Sequence, residues 1–143
     1  MTAKEYLNRI RRQNFILKQT EHELTEIRSD ILTIRASSLA EHVSGSKNSD
    51  IADKYIRLEQ YMDKVKHEWD VLINMRMEAK AMIKALPDPQ HQAVLYARYI
   101  NGLRWEAIAV EMGYSWKGVF KIHGQALQAF EQVHHDALAS RVS

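Results

Sequence analysis

Lys117 and Lys121 stand four residues apart, with Trp116, Phe120 and Gln125 around them. On one helix these five residues share a face that carries two ammonium groups, two large rings and an amide. The chemistry of such a face is association rather than bond-making. The lysines suit phosphates, the amide suits a base edge, and the rings suit a thymine methyl or the surface of another protein. His123 lies between Lys121 and Gln125 in sequence and is either a phosphate donor on the same side or an ordinary exposed histidine.

The residues that must position this face lie between Trp105 and Gly124. Ala109 is small where two helices would cross, and Gly113, four residues on, can take the left-handed conformation that ends a helix abruptly. Ser115 then serves as N-cap of a second helix, at the edge of the contact face. Val119 and Ile122 supply that helix's buried stripe, with Ile108 and Met112 facing it from the first helix. This register predicts a helix-turn-helix, whose second helix would lie in a major groove with Ser115, Trp116, Lys117, Phe120, Lys121, His123 and Gln125 toward double-stranded DNA. The same caps and periodicity also describe a helical hairpin without a ligand.

Other chemistries find little support. The chain of 143 residues has no cysteine, which excludes disulfides, thiolate zinc sites and thiol catalysis. His134, His135 and Asp136 are adjacent, so on a helix their side chains diverge by about 100° per residue and do not converge on one metal. No glycine-rich phosphate loop and no nucleophile set occurs, so neither enzyme activity nor a cofactor is expected. Arg9, Arg11 and Arg12 read as a solvated helix face, and Met62, Met75, Met77 and Met82 as core filler. With no apolar run of membrane-spanning length and no signal-peptide core, the expected location is the cytoplasm.

Only two prolines and five glycines occur, so an all-α fold is expected. Residues 3–35 carry an apolar seam through Tyr6, Ile10, Leu17, Leu24, Ile27, Ile31 and Ile34, with steps of seven that suit a coiled coil. A serine-rich stretch, about 36–50, reads as a flexible connection. A second helix, about 51–86, follows, with Ile51, Tyr55, Leu58, Met62, Val65, Trp69, Leu72, Ala79, Ile83 and Leu86 in its seam. Residues 1–86 thus read as a long helical hairpin whose thin core leaves apolar seam for self-association, most simply as a homodimer.

Pro87 and Pro89 stop that helix. Residues 87–135 read as a three-helix module with Val94, Leu95 and Ile100 in its core, a turn at Asn101-Gly102, and Trp105 packed near Tyr99. Residues 136–143 read as a frayed tail. Residues 87–143 hold five basic and five acidic residues, against fifteen and thirteen in residues 1–86. That balance is weak for nonspecific phosphate binding by a single copy.

The stretch from Pro87 to Glu131 resembles region 4 of bacterial sigma factors. AVLYARYINGLRWEAIAVEMG is similar to that family's helix, turn and "eIA..lG" helix, with Ile108, Ala109 and Gly113 matching. SWKGVFKIHGQAL resembles its recognition helix, with Ser115, Val119, Ile122, Ala126 and Leu127 at equivalent positions. MTAKEYLNRIRR and the helical hairpin resemble prophage-encoded proteins of Gram-positive bacteria related to late-gene transcription activators. The resemblance implies a phage transcription regulator in the bacterial cytoplasm, with RNA polymerase as a further candidate partner. Trp116, Gly118 and Phe120 depart from it, standing where sigma factors usually carry polar side chains. Two other readings join similar parts: a small-terminase-like DNA-packaging protein, expected as a closed ring, and an adaptor that docks on RNA polymerase without binding DNA.

Overall fold

A computed structural model describes the backbone of residues 1–40 and 45–141, and the side chains of 1–37 and 50–141. The described residues form helices and turns, without a strand. Two long helices, α1 (Ala3–Ala40) and α2 (Gly45–Lys84), precede four short ones: α3 (Pro89–Leu95), α4 (Trp105–Met112), α5 (Trp116–Val133) and α6 (His135–Ala139). A π-helical turn, Tyr96–Ile100, continues α3. Both long helices extend into the serine-rich stretch, so residues 36–40 and 45–50 are helical, and only 41–44 lie outside the described residues.

Contacts divide the chain into two compact units, Asn14–Val71 and Met1–Gln13 with Leu72–Ser143. The first turns of α1 and the last turns of α2 therefore belong with the C-terminal helices, rather than with the rest of the long helices. Thr2 and Glu5 start α1 with a reciprocal cap: the Glu5 N–H donates to Thr2 Oγ1 at 3.1 Å, and the Thr2 N–H to Glu5 Oε2 at 3.1 Å.

The C-terminal unit is built around Phe130, which is fully buried and faces Tyr6 and His134 at ring-centroid distances of 5.9 and 4.8 Å. Leu7 from α1, Ile83 from α2, Val94 and Leu95 from α3, Ile108 from α4 and Val119 from α5 are buried in the same unit. Polar contacts tie in the ends. The Tyr6 hydroxyl donates to Glu78, which also pairs with Arg141, and burial followed by this carboxylate raises the Tyr6 pKa. The Arg76 guanidinium donates to the Ile100 carbonyl, and the Ala3 N–H to Glu131 at 3.0 Å.

Part of the expected frayed tail, 136–143, is helical: α6 occupies His135–Ala139 and Leu138 is 3% exposed, while 142 and 143 lie outside the described residues. An apolar side chain at 138 reaches the core one turn beyond Val133, and burying it outweighs the terminal entropy.

In the other unit Leu17, Leu24 and Ile31 are buried at the expected steps of seven, with Thr20 between them returning its hydroxyl to the Ile16 carbonyl. Arg35 donates to the Tyr55 hydroxyl at 3.3 Å and Lys54 pairs with Asp30 at 3.5 Å, both joining α1 to α2. Tyr55, Met62 and Trp69 of the expected second seam are exposed, as are Phe15, Ile16, Leu32 and Ile56. Met62 does not fill a core, because one facing helix covers only a narrow stripe of a long helix, and Met77, in the C-terminal unit, is 64% exposed.

Candidate functional site

The candidate face is set by a tight turn between α4 and α5. Gly113 ends α4 with φ 72° and ψ 30°, and the following Tyr114 N–H donates to the Ala109 carbonyl at 3.0 Å. A side chain at 113 would meet no atom within 4 Å, so it is the left-handed backbone that favours glycine there. Ser115, extended at φ −69° and ψ 164°, caps α5 by accepting the Gly118 N–H at 3.1 Å. Ala109 and Val119 are buried at the crossing, and Ile122 is half-buried.

This geometry leaves Trp116, Lys117, Phe120, Lys121 and Gln125 exposed on α5. Trp116 is 49% and Phe120 45% exposed, their rings 6.2 Å apart. Neither lysine forms an ion pair among the described residues, so both charges are available to a partner. Val110 on α4 is 82% exposed and Tyr114 in the turn is also open, adding apolar surface to the same pair of helices.

His123 does not belong to that face. It is 8% exposed, and its Nε2 lies 2.8 Å from the Tyr99 hydroxyl. On α5 it follows Val119 by four residues and precedes Ala126 by three and Phe130 by seven, all three buried, so helical periodicity turns it inward. Burial, then the charges of Lys4 and Arg98, lower its pKa to about 4. The imidazole is neutral at physiological pH and does not serve as a cationic phosphate donor.

Trp105 packs against α5, with ring-centroid distances of 5.0 Å to Phe120 and 4.7 Å to His123, as well as against the preceding turn that carries Tyr99. The Arg98 guanidinium carbon lies 4.4 Å from the centre of the Trp105 ring, and Nη1 donates to the Leu103 carbonyl at 3.0 Å. Arg98 projects from the π-helical turn, closed by the Asn101 N–H on the Tyr96 carbonyl at 2.9 Å. Periodicity gives no signal for that wide turn, which often marks a functional site. At the other end of α5, His134 Nε2 lies 2.6 Å from the Met82 carbonyl, while His135 and Asp136 face each other at 3.6 Å. Among the described residues no group of three histidine, aspartate or glutamate side chains is arranged to hold a metal ion.

The family model described as "Protein of unknown function (DUF1492)" matches residues 33–131. That is more than half of the chain. The chain belongs to the DUF1492 family. The matched stretch runs from the C-terminal part of α1 through the α4–α5 turn and almost to the end of α5, so the candidate face lies within the DUF1492 region. Curated proteins and solved structures yield no match. No described helix is long and apolar enough to cross a membrane.

Proposed function

We propose that this DUF1492 protein is a DNA-binding transcription regulator whose helix-turn-helix is α4, the Gly113–Ser115 turn and α5. One observation carries the reading: a glycine-terminated helix and a serine-capped helix present Lys117 and Lys121, free of ion pairs, beside Trp116, Phe120 and Gln125. The charge of the surrounding unit supports it. Residues 87–143 are neutral, but the compact unit that contains them gains the basic ends of α1 and α2 and holds twelve basic against seven acidic residues. A surplus of that sign favours a polyanion through release of its counterions.

The resemblance to sigma region 4 and to prophage late-gene activators supports a regulator that works in a bacterial host cell on a phage or prophage promoter. The regulator acts as a homodimer. Exposed Leu32, Ile56, Met62 and Trp69 on the long helices supply apolar surface for a second copy. The test is selection of fragments bound by the intact protein from random and prophage-containing DNA, with light scattering on the same preparation. An enriched site and a dimer are expected. A closed ring of eight or more subunits would favour DNA packaging instead.

Exposed Val110, Tyr114, Trp116 and Phe120 favour a second reading, an adaptor that docks on RNA polymerase. It would prevail if no fragment is enriched and Trp116→Ala abolishes capture of the polymerase.

A further inference from the structure

A hollow of about 300 Å³ opens within the C-terminal unit, beside the exposed face of α5. Its cationic wall is Lys4 and Arg11 from α1 and Arg98 from the π-helical turn; its aromatic wall is Trp105 and Phe120, with His123 between. Lys4 and Arg11 are seven residues apart, two turns of one helix face, which is why both reach the same hollow. Arg9, from the same sequence cluster, leaves it and covers Tyr6 at 5.1 Å.

Three features mark this hollow as a site. None of its three cations forms an ion pair among the described residues, and no carboxylate lines it. Arg98 is held in place by the Leu103 carbonyl and the Trp105 ring, so its guanidinium is pre-oriented. Burial and then neighbouring Arg11 lower the pKa of Arg98, outweighing the opposing effects of Tyr99 and Glu106. The positive charge is concentrated on one wall with no carboxylate in the lining, which suits an anionic partner. Guanidinium forks and an ammonium match phosphate oxygens, and flat rings beside them match a nucleobase or the apolar edge of a sugar. The volume stands at the lower bound of small-ligand pockets, roughly 300–1,000 Å³.

We propose that this hollow binds the phosphate of a nucleotide, with Lys4, Arg11 and Arg98 around its oxygens and Trp105 and Phe120 against the attached sugar or base. The phosphate belongs either to the backbone of a DNA strand or to a free nucleotide. The site does not depend on the helix-turn-helix reading, because a free nucleotide satisfies the same chemistry. Sequence patterning alone does not reveal it, since its cations come from positions 4, 11 and 98.

The test uses the full chain and follows the Trp105 indole resonance by NMR during titration with ATP, with inorganic pyrophosphate and with a duplex of twenty base pairs. The comparison variant is Lys4→Gln with Arg11→Gln. Both positions are exposed and neither side chain makes an ion pair among the described residues, so the melting temperature is expected to hold. A saturable Trp105 shift with ATP, weakened about tenfold or more in the variant, identifies a free nucleotide. A shift with the duplex alone, with a salt slope reduced by about one unit per lost contact, identifies the DNA backbone. Unchanged affinities and slopes in the variant, or no Trp105 shift with any of the three ligands, would overturn the proposal. DNA binding that depends on Lys117 and Lys121 but not on Lys4 and Arg11 would sink this site and leave the helix-turn-helix reading standing. ATP binding without duplex binding would do the reverse.

Discussion

Residues Asn14–Val71 carry eleven acidic and eight basic side chains, whereas the unit of Met1–Gln13 and Leu72–Ser143 carries seven acidic and twelve basic. Their interiors differ as sharply. In the first, α1 buries Leu17, Leu24 and Ile31 in single file, and large apolar side chains such as Leu32, at 66% exposure, remain on the surface. In the second, six helical segments surround Phe130, and polar side chains from distant parts of the chain close the ends. Two helices alone cover one stripe of each other; several short helices around one ring enclose a core. The acidic unit therefore keeps apolar surface exposed, while the basic unit offers a rigid frame on which cations without an ion pair among the described residues can be held.

The largest effect is expected from Phe130→Ala, which empties the centre of the basic unit and should cost about 3–5 kcal/mol in chemical denaturation. Leu24→Ala, with a single facing helix able to relax around it, should cost about 2 kcal/mol, at the low end for a buried leucine. Equal costs would erase the contrast between the two interiors.

Acid should act through His123. Its pKa in the folded chain is about 4, below the ordinary value of about 6.5, so the unfolded chain binds the extra proton between those limits. Stability is therefore intact above pH 6.5, falls as pH drops toward 4, and loses on the order of 2 kcal/mol from this group. Denaturation of the wild type and of His123→Gln across that range should show the difference between them shrinking as pH falls. A constant difference would mean that the imidazole is not held neutral by its surroundings.

Gly113→Val should destabilise the basic unit by about 1–2 kcal/mol through backbone strain at positive φ. Because the space beside Gly113 is open, Gly113→Ala should cost nearly as much, which separates strain from crowding. The smallest change is expected at Gly124, helical, exposed and with nothing within 4 Å of an added Cβ. Gly124→Ala should raise stability by roughly 0.5–1 kcal/mol. If it also weakens duplex binding, a close approach of DNA to α5 at this position is indicated.

The α4–α5 turn was legible in the sequence because its determinants are local: Ala109, Gly113, Ser115 and Val119 each act within one or two helical turns. Leu17, Leu24 and Ile31 were legible for the same reason. His123 was misplaced although its spacing from Val119, Ala126 and Phe130 puts it in the buried stripe; its polar type argued for the surface, and the Tyr99 hydroxyl is the partner that permits burial. The division into units was hidden, since it depends on Tyr6, Glu78 and Arg141 meeting across more than sixty residues. Leu138 escaped notice because a single apolar residue near a terminus has no periodicity around it. Lys4, Arg11 and Arg98 were visible as charges but not as neighbours.

The most direct measurement of the central claim is the affinity of the intact protein for duplex DNA across a series of salt concentrations, compared with Lys117→Ala and Lys121→Ala. The expected result is binding that weakens linearly in log–log form, with each substitution lowering the slope by about one unit and weakening all sequences alike. Duplex affinity that is absent at low salt, or untouched by either lysine substitution, would contradict the account.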